Sequence, residues 1–257
     1  MFMRDRFILF LKKYQIWLYT AILVVVTNWS VPYVALMPGT VYPISSMFTK
    51  DDHVQTLGDW NFLTVKLLHL TVLSYVYAKL NPNDYEIIPE EWLMKPGETN
   101  SQYTDRQHKV MTDTIEISKS CSSKLLKQTL NQDVTFQFKL EGTDVGGPSA
   151  GSAFCLAFAD SLSKDEMAKG YRIAATGTVT EDGEVGEIGG LKWKIKSAID
   201  AGIQIVFVPF EEEQEAISSV DFWKSKQIAG ADSLRVYPIK HVSEAVYQIQ
   251  TLQVFRR

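Results

Sequence analysis

A serine bracketed by glycines and a proline is the first feature of this chain with the makings of a reaction. Asp144-Val145-Gly146-Gly147-Pro148-Ser149-Ala150-Gly151 leads at once into an apolar, alanine-rich run. Glycine allows positive φ or a close approach between backbones. Proline fixes its own φ and extends the residue before it. A serine on such a turn, just ahead of a helix, lies among free N–H groups at the positive end of the helix dipole. Those conditions suit a nucleophile whose substrate oxygen becomes an anion. They also suit a serine that only caps the helix, so the choice of base has to separate the two readings.

A serine hydroxyl needs a base within hydrogen-bond reach, and the chain offers two kinds. The first is histidine. Gly147-Pro148-Ser149-Ala150-Gly151 satisfies the letter of a nucleophile elbow, and Ser149, Asp221 or Asp232, and His241 stand in the order of an α/β-hydrolase triad. An elbow serine, however, follows its strand directly, whereas a long glycine-rich link separates Leu140 from Ser149. His53, His69 and His108 lie in stretches without catalytic punctuation and read as ordinary surface or core residues. The second base is lysine. To act as one, its proton affinity must fall about a thousandfold, on the order of 4 kcal/mol, which burial among apolar groups can supply. In Leu191-Lys192-Trp193-Lys194-Ile195-Lys196-Ser197-Ala198 helical spacing puts Leu191, Lys194, Ile195 and Ala198 on one face. Lys194 is thus the lysine on the apolar stripe, although a stripe lysine can also snorkel to water.

Four motifs in order carry a family resemblance. Gly-Gly-Pro-Ser-Ala-Gly at 146–151, Ala-Thr-Gly at 175–177, Ile-Gly-Gly-Leu-Lys-Trp-Lys at 188–194 and Ala-Gly-Ile at 201–203 leading to Val-Pro-Phe at 208–210 resemble the proteolytic domain of Lon-type serine peptidases. The resemblance runs from about Asp133 to Leu252. It implies a Ser–Lys dyad, with Ser149 as nucleophile and Lys194 as general base and then general acid. It also implies that Thr176 orients the lysine amine, and that the loop around Gly147 holds the oxyanion with its backbone N–H groups. Such a contact is worth roughly 3–4 kcal/mol.

The chain departs from that pattern in three ways. Many Lon proteases carry an acid three positions before the serine, where Gly146 stands here; Asp144 is out of register and takes no role. No G-x-x-x-x-G-K-[ST] occurs, so no nucleotide or other cofactor is expected. A Lon-type domain without an ATPase, behind an apolar segment, resembles the membrane-anchored extracytoplasmic Lon-like proteases that usually carry a PDZ domain. The stretch between Gln107 and Asp133 is too short for an independent PDZ core.

The remaining composition narrows the setting. A net charge of −4 over 257 residues leaves no basic stripe for nucleic acid. Two cysteines, Cys121 and Cys155, make no disulfide framework, and no Cys/His cluster suggests a metal; Cys155 reads as core and Cys121 as open. Arg4, Arg6, Lys12 and Lys13 precede an apolar run from Ile16 to Met37, with Trp17, Tyr19, Trp29 and Tyr33 near its ends. Its length and flanks predict a transmembrane signal-anchor with the bulk of the chain outside the cytoplasm. A cleaved signal peptide is the competing reading, and Tyr33-Val34-Ala35 lacks the small residues its site would need.

These elements predict an α+β fold: a Lon-like mixed sheet with helices, preceded by one transmembrane helix. The organisation read from the sequence is a basic tail over 1–15, the anchor over 16–37, an N-terminal region and linker over 38–132, and the peptidase domain over 133–257. Expected strands cover Phe62–His69, Val134–Leu140, Ile173–Thr180, Val185–Ile188, Ile203–Val208 and Leu234–Pro238. Expected helices cover Leu70–Leu80, Arg106–Ser118, Ala150–Leu162, Leu191–Ala201 and Val242–Leu252. The function expected is an ATP-independent, membrane-anchored serine endopeptidase acting on proteins or peptides at the outer side of the cell membrane. The alternatives are a catalytically silent peptide-binding adaptor on the same fold and, behind it, the hydrolase triad. Lon-type domains commonly form rings, so the resemblance leaves a homo-oligomer open.

Overall fold

The computed structural model describes residues 2–47, 59–130, 145–163 and 166–253. The expected strand Val134–Leu140, with Asp144 and His53, lies outside the described residues. The fold is mixed α and β, and the chain divides into two compact units, Met1–Met37 with Leu67–Gly97 and Pro38–Lys66 with Glu98–Arg257.

The first unit opens with α1 (Phe2–Thr27), followed by β1 (Ser30–Pro43), whose first residues belong here. The end of β2 (Asp59–Thr71) then leads into α2 (Val72–Leu80) and β3 (Glu86–Pro89). β3 pairs antiparallel with β1, Tyr33 opposite Pro89 and Leu36 opposite Glu86. The predicted helix from Ile16 to Met37 is therefore corrected. It stops at Thr27, and the second half of the apolar run is a strand with Val34 and Ala35 fully buried. Asn28 ends the helix by turning its side-chain amide onto the Val24 carbonyl at 2.8 Å. Pro32, which has no N–H to give a helix, holds the chain extended after it. From Tyr14 the apolar part of α1 covers about 21 Å at 1.5 Å per residue. Among the described residues no helix is long and apolar enough to cross a membrane. The large side chains of α1 nevertheless stand in the open, Trp17 66% and Leu23 62% exposed.

α2 begins at a capping box, in which Thr71 Oγ1 accepts from Ser74 N and Ser74 Oγ accepts from Thr71 N. Leu73, Val76, Tyr77 and Leu80 fall at i, i+3, i+4 and i+7 and form an exposed apolar stripe.

The second unit positions the site. β2, β4 (Arg172–Ala175), β7 (Ile205–Pro209) and β8 (Arg235–Ile239) run parallel in that order, with Asp59 opposite Arg172, Ile173 opposite Ile205 and Ile205 opposite Arg235. A hairpin of β5 (Thr178–Val179) and β6 (Val185–Gly186) continues from the end of β4. The helices are α3 (Asn100–Leu130), α4 (Gly151–Leu162), α5 (Leu191–Asp200), α6 (Glu213–Ser225) and α7 (Val242–Thr251). The hydrophobic core takes Trp60 and Phe62 from β2, Phe154 and Phe158 from α4, Ile173 from β4 and Phe207 from β7. β7 is buried at every position, as a parallel strand covered on both faces requires.

α3 is far longer than the surface helix expected around Arg106–Ser118, and it packs along α4. There Cys121 and Cys155 are joined in a disulfide, their Cα atoms 5.8 Å apart. Cys155 is core, as expected, and Cys121, left open by the sequence, is its partner. The pairing comes from a helix–helix contact between distant segments, which sequence spacing does not encode.

Candidate active site

Ser149 sits half-buried on the last turn before α4. Its loop is shaped by what lies behind it. Gly147 has φ of +101°, a conformation L-residues rarely adopt, and its N–H donates to the Gln107 carbonyl of α3 at 3.1 Å. A side chain at Gly146 would place Cβ 2.4 Å from Gln107 Cβ and 2.9 Å from its backbone carbon. The position that holds an acid in many Lon proteases is therefore closed in this fold by α3. Beyond the serine, Gly151 N donates to the Pro148 carbonyl at 3.2 Å and α4 begins.

The C-terminal end of β4 passes directly against this loop. Gly177 N donates to the Ser149 carbonyl at 2.8 Å, Ser152 N donates to the Gly177 carbonyl at 3.1 Å, and Thr176 Oγ1 donates to the same Ser149 carbonyl at 3.2 Å. Thr176 is wholly buried, and its own N–H is spent on Phe207 of β7 at 3.0 Å. Its hydroxyl also accepts from Lys194 Nζ at 3.2 Å.

Lys194 belongs to the first turn of α5, its N–H bonded to the Gly190 carbonyl at 3.1 Å. The side chain is 2% exposed, and among the described residues it has no ion pair. Burial pushes the amine down to about 7, with Glu212 acting against it. Lys192 and Lys196 turn elsewhere, the first over the Phe222 ring at 4.4 Å and the second onto Asp200. The Ser149 hydroxyl and the Lys194 amine are not hydrogen-bonded to one another; Thr176 is the residue that touches both sides. A neutral amine within hydrogen-bond reach of a serine hydroxyl can accept its proton.

Residues 82–249 match the Lon protease (S16) C-terminal proteolytic domain. The chain belongs to this family. It is 30% identical over 168 residues to the Lon protease of Buchnera aphidicola subsp. Schizaphis graminum, covering 63% of this chain and 20% of that protein. The Lon protease of Neorickettsia sennetsu is 30% identical over 171 residues, covering 63% of this chain and 19% of that protein. That of Escherichia coli K12 is 28% identical over 168 residues, with 63% and 20% covered. The chain thus spans about a fifth of the length of the curated relatives it matches.

Set against the Lon-type expectation, one assignment changes. Gly147 shapes the loop, but its N–H is already bonded to Gln107 and cannot also hold an oxyanion. Pro148 has no N–H, so the donors left at the head of α4 include those of Ser149 and Ala150, which have no acceptor among the described residues. The histidine alternative also loses its geometry. His241 caps α7, accepting from Ser243 N at 3.1 Å, and its other ring nitrogen meets the Asp182 carbonyl at 2.6 Å. Asp221 and Asp232 are both exposed. His69 pairs with Glu90 at 3.3 Å. Two residues of the site escape sequence reasoning altogether, Gln107 beneath the serine loop and Glu212 near Lys194. No local signal marks Gln107, and Glu212 hides in the acidic run Glu211–Glu213, which reads as a solvated face.

Proposed function

We propose that this chain is an ATP-independent serine endopeptidase in which Ser149 is the nucleophile and Lys194 the general base. The observation that carries the reading is the single Thr176 hydroxyl bonded both to the Ser149 carbonyl and to a buried, uncharged-prone Lys194 amine. In the reaction Ser149 Oγ attacks the scissile carbonyl carbon while its proton passes to the neutral Lys194 amine. The carbonyl electron pair moves onto oxygen, where the N–H groups of Ser149 and Ala150 stabilise it. The Lys194 ammonium then gives its proton to the leaving amine, and an acyl-serine remains. Water, deprotonated by Lys194, attacks the acyl carbon, and Ser149 recovers the proton on release.

We propose further that the peptidase works outside the cytoplasm and is held at a membrane through α1, although the apolar part of this helix falls short of a full span. Exposed Trp17, Leu18, Ile22, Leu23 and Val25 on α1 leave a helix whose surface favours an apolar medium over water. Arg4, Arg6, Lys12 and Lys13 favour a cytoplasmic N-terminus. The exposed stripe of α2 adds apolar surface in the same unit. The Cys121–Cys155 disulfide fits an oxidising compartment. The substrates in this reading are proteins or peptides.

The test is digestion of an unfolded protein by the full chain in detergent or vesicles. Ser149→Ala and Lys194→Ala should each abolish cleavage, and a serine-directed phosphonate should label Ser149. Absence of both cleavage and labelling would favour the silent adaptor, for which the missing acid at Gly146 is the argument. Alkaline carbonate extraction reports the anchor separately, since an anchored chain stays with the membrane pellet.

A further inference from the structure

Glu212 closes the short 3-10 turn Phe210–Glu212 and stands immediately ahead of α6. Its Oε1 accepts the backbone N–H of Ile188 at 2.6 Å. Its Oε2 is buried and finds no donor among the described residues. Leaving a carboxylate oxygen buried and unpaired is costly. Ile188 belongs to the turn Glu187-Ile188-Gly189-Gly190, and Gly190 accepts the first N–H groups of α5, from Trp193 and Lys194, both at 3.1 Å. One oxygen of Glu212 thereby fastens the turn from which the Lys194 helix starts.

The charges around Lys194 single out the same residue. The serine loop carries no acid at Gly146, and Gln107 occupies the space one would need. On α5 itself, Lys192 lies over Phe222, and Lys196 pairs with Asp200. Lys240 lies over the Phe210 ring at 4.1 Å. Glu187 and Glu215 act on Glu212 rather than on the amine, and Glu212 is the charged group that acts on Lys194.

Resting on the Ser149–Lys194 reading, we infer that Glu212 is the positioning residue for proton transfer in this site. It fixes the turn ahead of α5 and supplies the negative charge that the serine loop lacks. Burial alone weakens an amine as a base. A carboxylate within electrostatic reach restores enough proton affinity for it to take the serine proton near neutral pH. Burial in turn raises the Glu212 carboxyl, with the Ile188 N–H acting in the opposite direction.

The experiment is a pH profile of kcat and kcat/KM for the full chain carrying Glu212→Gln, Glu212→Ala or Lys194→Ala. Glutamine keeps the volume and an acceptor for Ile188 but removes the charge. Its acidic midpoint should move to lower pH, with a severalfold lower plateau in kcat and an unchanged KM. Alanine also frees the turn, and kcat should fall further than in the glutamine protein. A glutamine profile that overlays the wild type would overturn the inference, whatever becomes of the alanine protein. Full activity in Lys194→Ala would instead overturn the dyad, a separate outcome.

Discussion

The Gly147 N–H donates to the Gln107 carbonyl across 3.1 Å, so a helix far upstream in the chain holds the serine loop from behind. The same helix excludes a side chain at Gly146. Introducing the acid common in relatives by Gly146→Asp should therefore harm the enzyme. Overpacking of this kind costs about 1–3 kcal/mol. We expect a lower Tm and a kcat/KM at least tenfold below wild type, measured by thermal melting and peptide cleavage. Trimming Gln107 to alanine should not rescue it, because Cβ and backbone of residue 107 are the atoms in the way.

Lys194 ties both activity and stability to pH, and both should rise as pH rises. With the folded amine at about 7, kcat/KM should fall as pH drops through 7. For stability, the unfolded lysine titrates near 10.4. Between 7 and that value the unfolded chain binds a proton that the folded chain does not, so stability rises with pH over this window and is lowest below 7. Lys194→Met should accordingly raise Tm at pH 6–7, the gain shrinking towards pH 10. A Tm gain independent of pH would contradict the depressed amine.

His241 is committed to structure. Its ring caps α7 and meets the Asp182 carbonyl of the β5–β6 turn. His241→Ala should lower stability by about 1 kcal/mol, as lost caps do, and leave kcat unchanged. A collapse of kcat without unfolding would revive the histidine triad.

The Cys121–Cys155 bond closes a loop of 34 residues between α3 and the serine helix α4. Chain entropy puts its contribution at roughly 3–4 kcal/mol. Cys121→Ser with Cys155→Ala should show a matching loss in chemical denaturation, and dithiothreitol should reproduce it in the wild type.

What the sequence makes legible here are features written in residue type over short range. Ser149 on its turn and Lys194 on an apolar stripe declare themselves through glycines, a proline and helical spacing, whereas Thr176 after β4 comes only from the family resemblance. The strands Ile173, Ile205 and Val236 centre on, and the helices around Phe154 and Ile195, follow from the same periodicity. The end of α1 shows in Asn28 and Pro32, but the strand after it does not, because a continuous apolar run has no period and fits helix and strand alike. Gln107, Glu212 and the disulfide partners are contacts between segments remote in the chain. They depend on where α3 and α6 pack, information that no local pattern contains.

Thr176 finally sets a direction. A threonine hydroxyl has one hydrogen, and here it is spent on the Ser149 carbonyl. Toward Lys194 it can offer only lone pairs, so the amine must donate to it whether ammonium or free base. The lysine can never turn its own lone pair to the threonine. Whenever the amine is neutral, that pair is left for the incoming proton, while the threonine itself passes none.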